Sequence, residues 1–367
     1  MASRNQWKQP LEPRVFPTSG FETIDDFESM EEEGMSIYEP GIFYPVHLGE
    51  VFQNRYQVVA KLGFGSSSTI WLGHDLQDRK YVCLKVQINT IHNNHELTVY
   101  EHLSQHTPAL DPLHIRPLLG SFKIQGPHGS HDVLVQVPLA TAITDWQHRA
   151  PDFHPGNLLI GLGDGGECLS QVEEAELESP GPRKVMEDRT IYSSRVILGN
   201  IGPLYLCDFG QARIGSEGSG YAMPIPFRAP EIILGMNWSY PIDMWGVGLS
   251  TWDMLQAEKL FGIYDVDTQR LNDAHHLANM IALLGPPPLD YLKRSNTYLE
   301  FWDEHGEWRW IVPIPREKTF ESLEGSLEGD ERARFLNFIR ALLRWDPGER
   351  LTAKQALSNP WLTAPYE

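Results

Sequence analysis

Asp152 and Asn157 stand five residues apart in Pro151-Asp-Phe-His-Pro-Gly-Asn-Leu-Leu-Ile160, and an apolar run follows Asn157. That spacing predicts a tight loop aiming a carboxylate and an amide into one cleft before the chain becomes a strand. A second carboxylate, Asp208, ends another apolar run in Leu206-Cys-Asp-Phe-Gly210, where Gly210 frees the backbone to turn. The set suits phosphotransfer: Asp152 can orient an acceptor hydroxyl while Asn157 and Asp208 hold Mg²⁺ against nucleotide phosphates. Asp145 is a competing carboxylate, but it lies twelve before Asn157 and across Pro151, with no fixed geometry to the metal ligands. Alone, an Asp and an Asn at this spacing also serve ordinary turns, so the weight falls on the elements that position them.

Upstream, Arg55-Tyr-Gln-Val-Val-Ala-Lys-Leu-Gly63 and Ser68-Thr-Ile-Trp71 are rich in aromatic and β-branched residues and predict strands. Between them, Gly63-Phe-Gly65 lets backbone amides approach phosphates, the plainer alternative being a hairpin turn. Lys85 interrupts the apolar strand Tyr81-Val-Cys-Leu-Lys-Val86, where a lone charge is costly to bury without an anion. Glu96, with Tyr100 and Leu103 on its helical face, is the favoured partner, and Glu101 competes. Strand-like runs at 115–124 and 132–139 complete a small β-rich lobe over 37–139.

Only residues 140–151 then separate this lobe from Asp152, and Pro151 ends any helix there. Fully extended, twelve residues span about 40 Å, which bridges two lobes but cannot contain two long helices. Residues 161–203 form an insertion rich in Gly, Pro and acids, expected at the surface. The remainder to 363 reads as a larger, mainly helical lobe, with a stop signal at Gly285-Pro-Pro-Pro288 and an amphipathic stripe through Phe335, Phe338, Ile339 and Leu342. Residues 1–36 mix Pro, Ser, Gly and acids, including Glu31-Glu-Glu33, and are expected to be a disordered acidic tail.

The 367 residues are too many for one typical domain, and 41% hydrophobic content can build a sizeable core. An excess of 49 acidic over 30 basic residues gives a net charge of −19, which argues against nucleic acid or an anionic membrane and favours basic ligands. Cys83, Cys168 and Cys207 lack metal-ligand spacing and fit a reducing compartment. No apolar run approaches the roughly 18 residues of a membrane span.

Taken together, roughly residues 38 to 363 resemble the eukaryotic protein kinases in the order glycine loop, strand lysine, helix glutamate, catalytic loop, Asp-Phe-Gly, Ala229-Pro-Glu231 and Arg350. They are most similar to the SR-protein kinases, chiefly the fungal ones. Tyr44-Pro-Val-His-Leu-Gly49, Leu62-Gly-Phe-Gly65, Ser68-Thr-Ile-Trp-Leu72 and the segments His276–Pro287 and Arg350–Trp361 carry the match. The resemblance implies an α+β, bilobal kinase fold with two helices of the larger lobe missing. It implies a serine/threonine protein kinase that uses ATP and Mg²⁺, is found in the cytoplasm or nucleus, acts as a monomer and modifies Arg/Ser-rich protein segments. By that resemblance Leu62, Gly63, Gly65, Ser68, Ile70 and Lys85 would hold the nucleotide, and Glu96 would pair with Lys85. Asp152 would orient the hydroxyl, Asn157 and Asp208 would bind Mg²⁺, and Glu231 with Arg350 would form a strut.

Two departures matter. The residues preceding the catalytic aspartate read Ala150-Pro151, and His154 stands where the family has a lysine. Loss of that fixed charge beside the transferring phosphoryl group can cost on the order of 10²-fold in rate. An impaired, kinase-like nucleotide-binding scaffold is therefore the alternative. A small-molecule phosphotransferase, whose loop resembles Asp152–Asn157, is a third, but that group lacks the Ala-Pro-Glu and late-arginine segments.

Overall fold

A computed structural model describes residues 9–106, 114–140, 157–261 and 269–364. Asp145, Asp152, His154 and nearly all of the short 140–151 bridge lie outside the described residues. The chain divides into two compact units, one drawn from residues up to 143 and from 158–212, the other from the remainder.

The first unit is built on a six-stranded antiparallel sheet in the order β1-β2-β3-β4-β6-β5. The strands are β1 (Val51–Phe52), β2 (Tyr56–Gly65), β3 (Ser68–Asp75), β4 (Lys80–Gln87), β5 (Leu118–Gly126) and β6 (Gly129–Gln136), with helix α1 (His95–His106) between β4 and β5. The apolar runs of β2, β3 and β4 are nearly continuous because both faces are covered there, whereas the edge strand β5 alternates half-buried and exposed residues. One face buries Val58, Trp71, Val82, Leu84 and Val133. The other buries Val59, Ala60 and Leu72 against material from elsewhere in the chain.

That material corrects the expectation of a surface insertion. After β7 (Leu158–Leu162), the insertion forms helix α2 (Glu167–Glu178), then the hairpin β8 (Arg183–Val185) and β9 (Thr190–Tyr192), and returns as β10 (Ile201–Leu206). Cys168, Leu169 and Val172 make an apolar stripe on α2 that packs on Leu72 and Phe16. The acids on the same face are buried but paired: Glu173 accepts from the Tyr81 hydroxyl, and Glu176 from Arg183 (2.8 Å) and Arg195. On the opposite face of the sheet, Tyr192 packs edge-on against Trp71.

Residues 9–36 are likewise not the disordered tail their composition suggests. Phe16 is buried, and Thr23 bridges to Arg183. The acidic triplet docks residue by residue. Glu31 accepts from the Ser194 hydroxyl (2.6 Å) and backbone N–H (2.9 Å), Glu32 pairs with Lys61 of β2, and Glu33 pairs with Lys184 (2.8 Å). Charges that look solvated in the sequence each have a basic or N–H partner, which is what permits their burial.

The second unit is helical: α3 (Pro230–Ile233), α4 (Pro241–Leu255), α5 (Gln269–Leu284), α6 (Leu289–Leu292), α7 (Phe320–Leu323), α8 (Gly329–Leu342), α9 (Ala353–Leu357) and α10 (Pro360–Thr363). Pro241 opens α4 at a position where a missing N–H costs nothing. Gly285, at φ +77°, ends α5 as the sequence predicts. The core is aromatic, with Trp245, Trp252, Trp302 and Phe335 almost fully buried. Within it Arg350 grips Glu231 by two parallel bonds of 2.7 and 2.6 Å, with its guanidinium over the Trp245 ring.

Candidate functional site

The candidate site in the first unit begins with Lys85. The β3–β4 register sets it opposite Ile70, two strand positions from the Gln87–Ser68 pair that closes the glycine hairpin. Its ammonium, in a residue only 6% exposed, donates to Glu96 Oε2 at 2.7 Å and to Asp208 Oδ1 at 3.0 Å. Burial works to lower the Lys85 pKa, but Glu96 and Asp208 outweigh it and hold the ammonium above the ordinary lysine range. Of the two candidate partners, Glu96 is the one at Lys85, while Glu101 is exposed.

Glu96 is placed by the first turn of α1, which Asn94 caps by accepting the Leu97 N–H at 3.1 Å. Asp208 follows β10 in a left-handed conformation, φ +58°, that Asp tolerates better than most residues. The buried neighbours Cys207 and Phe209 fix this exposed turn, and Phe209 meets Tyr100 of α1 edge-on at 5.3 Å. Helix α1 therefore holds both anions of the triad, Glu96 directly and Asp208 through Tyr100.

In the glycine hairpin, Gly65 pairs with Ser68 and Gly63 with Ile70. The plainer alternative, a hairpin, is thus the local geometry. A Cβ at Gly63 or Gly65 would meet nothing within 4 Å. Neither glycine has positive φ, so the space above the backbone is open to a ligand rather than dictated by packing or strain. Ser68 is buried at the hairpin's end, while Leu62 and Ile70 are half-buried on either side of the turn. Asn157 directly precedes β7, and β7 pairs with β10 so that Leu158 faces Leu206. The chain segments bearing Asn157 and Asp208 thus leave the ribbon at the same end. A buried ammonium, an exposed carboxylate anchored to it and an open glycine turn can together accept a polyphosphate with a divalent cation.

The comparisons agree with this chemistry. The protein kinase domain family matches residues 193–362. A serine/threonine protein kinase of Aspergillus fumigatus is 37% identical over 380 residues, covering 97% of this chain and 96% of the relative. The chain belongs to the serine/threonine protein kinases. Within them it is of the SR-protein-kinase-like kind. The kinase SRPK of Physarum polycephalum is 25% identical over 92% of both chains, and a dual specificity kinase of Schizosaccharomyces pombe is 30% identical over 53% of this one. The fold is the bilobal kinase fold, with a β-rich small lobe and a mainly helical larger part. The Aspergillus alignment, at 380 residues, exceeds the 367 of this kinase, so the relative carries residues inside the matched range that this chain lacks.

Two residues of this region were not singled out from sequence. Lys61 of β2 has a fully buried side chain and stands one residue before Leu62. The argument that flags Lys85, a lone charge inside an apolar strand, applies equally to Val58-Val-Ala-Lys-Leu62. Arg116 is a second buried cation, a lone charge within the strand-like run at 115–124.

Proposed function

We propose that this kinase transfers the γ-phosphoryl group of Mg-ATP to serine or threonine hydroxyls in Arg/Ser-rich protein segments. The observation that carries the nucleotide part is the buried Lys85 ammonium held between Glu96 and Asp208 beside the open glycine hairpin. In this reading Lys85 binds the α- and β-phosphates, and Glu96 keeps it charged and in place. Gly63, Gly65 and Ser68 present backbone amides, while Leu62 and Ile70 flank the base. Asp208 and Asn157 would hold Mg²⁺, which when bound neutralises charge on the phosphates. Asp152 orients the acceptor hydroxyl, and His154 stands in for a fixed cation. Preference for basic segments rests on the net charge of −19.

The partner is a protein. Neither nucleic acid nor membrane fits the charge, no described helix is long and apolar enough to cross a membrane, and we assign the kinase to the cytoplasm or nucleus as a monomer. A second reading, a nucleotide-binding scaffold with impaired transfer, is favoured by Ala150-Pro151, His154 and the short 140–151 bridge. Radiolabelled ATP with an Arg-Ser repeat peptide and an acidic control separates the two. Labelling of the basic peptide, weakened by added salt, supports the kinase. Equal labelling of both peptides removes the substrate preference, and metal-dependent ATP binding without labelling supports the scaffold.

A further inference from the structure

Residues 9–17 form no helix or strand, yet the segment is seated on the first unit through Arg14 and Phe16. Gln57 of β2, only 1% exposed, holds the backbone of Arg14 at both ends: its Oε1 accepts the Arg14 N–H at 2.9 Å, and its Nε2 donates to the Arg14 carbonyl at 2.7 Å. The Arg14 guanidinium donates two parallel bonds to the Glu174 carboxylate of α2, at 2.7 and 3.1 Å. Two residues on, Phe16 is buried among Val59, Leu72, Leu169 and Val172. Gly49 closes that hole, since a Cβ there would stand 3.3 Å from the Phe16 ring. Val15, between the two anchors, is 89% exposed. Among the described residues, every hydrogen bond of residues 12–21 is made by Arg14.

This is the way a protein receives an extended peptide: paired main-chain bonds give affinity, and pockets for alternate side chains give specificity. Pro13 and Pro17 bracket the three residues and hold them extended beforehand, which lowers the cost of ordering them. The seat is also incompletely filled. Glu173, beside Glu174 on α2, is 1% exposed, and its Oε1 accepts no hydrogen bond; Arg14 Nη1 lies 3.6 Å from it, beyond bonding distance. A buried carboxylate oxygen without a donor is costly. One guanidinium, with five N–H groups, can serve both carboxylates. The tethered arginine therefore leaves room for a better-placed one.

We propose that the groove between β2 and α2 is a docking site for another protein's extended Arg-x-Phe segment, for which residues 14–16 are a tethered stand-in. The inference requires neither nucleotide nor phosphotransfer. The test is fluorescence anisotropy of a labelled peptide with the sequence of residues 9–20. It is titrated with the full chain and with its Arg14→Ala/Phe16→Ala variant, which empties the groove. A tethered segment competes at an effective concentration on the order of mM, so the variant should bind the peptide about tenfold more tightly than the unaltered chain, or better. Peptides carrying Arg14→Ala or Phe16→Ala should each lose about tenfold in affinity for the variant, the least expected of a hot-spot residue. A variant that melts cooperatively yet binds native and altered peptides alike, or binds none, overturns the proposal. So does equal affinity of the native peptide for the two chains, which places it elsewhere. If the variant shows no cooperative melt, hydrogen exchange in the unaltered chain decides. Native peptide at about 1 mM should then speed amide exchange in residues 11–16 about tenfold, and the altered peptides should not. Exchange unchanged by the native peptide, or raised equally by the altered ones, overturns the proposal.

Discussion

Replacing both Glu31 and Glu32 by Gln should destabilise the first unit by about 3–5 kcal/mol, the cost of leaving a buried charge without its partner. Lys61 has no exposed side-chain surface, its ammonium is paired with Glu32, and Glu31 stands 3.6 Å away. Glu32→Gln alone should cost less, roughly 2 kcal/mol. A carboxylate at the Glu31 distance still supplies about 4 kcal/mol of gross attraction at an effective dielectric near 20, and part of that survives as net stabilisation. The reverse perturbation should be milder than the double variant: Lys61→Met leaves Glu31 bonded to Ser194 but leaves the buried Glu32 carboxylate without its cation, so the loss should be roughly 2 kcal/mol. Urea titration followed by tryptophan fluorescence, with Trp71 in the same sheet, measures all three variants. If the double Gln variant unfolds within 0.5 kcal/mol of the parent, or Lys61→Met is the worst of the three, the docking of the acidic triplet does not supply the stabilisation argued here.

Asp253, whose side chain is nearly buried, has its pKa pushed up to about 6 by burial, with Lys259 opposing. Because the folded value lies above the unfolded one, its contribution is fully present below about pH 4 and lost as pH rises through 6. Asp253→Asn should therefore raise stability at pH 7.5 by up to about 3 kcal/mol, by about half as much at pH 5 and by little at pH 4; an equal shift in Tm at pH 7.5 and pH 4 would refute burial as the cause. In a phosphotransfer assay Asp152→Asn should abolish turnover while ATP binding persists, and Asp145→Asn should be nearly silent. The opposite pattern would reassign the acceptor-orienting carboxylate.

Much of the site was legible because its residues break local rules. Lys85 inside an apolar strand, Asp208 at the end of one, and glycines bracketing a turn each demand an explanation that short sequence windows can supply. Glu231 and Arg350 were legible only through the family resemblance, since nothing local joins residues 119 apart. The docked segment at 9–36 and helix α2 were not legible. Their acids read as solvent-seeking, and the partners that neutralise them, Lys61, Lys184, Arg183 and Arg195, are short-range neighbours only in the fold. The stripe Cys168, Leu169, Val172 on α2 was visible in principle, but the surrounding run of glutamates outweighed it.

The order in which the chain is synthesised gives the insertion a further meaning. All six strands of the sheet exist once Gln136 has been made. The helix that covers one face comes only with residues 167–178, the Tyr192 ring only later, and the second carboxylate for Lys85 only at Asp208. At roughly 5–20 residues per second, the stretch from Gln136 to Asp208 takes on the order of 4–14 seconds; Val59 and Leu72 lack the α2 part of their cover for the first part of it, and Lys85 lacks one of its two anions throughout. The nascent sheet must wait, half-clothed, for a segment beyond its own last strand. A ribosome-bound chain halted between Gln136 and Ala212 is therefore the form most exposed to capture by chaperones, and completion of the insertion is the step that releases it.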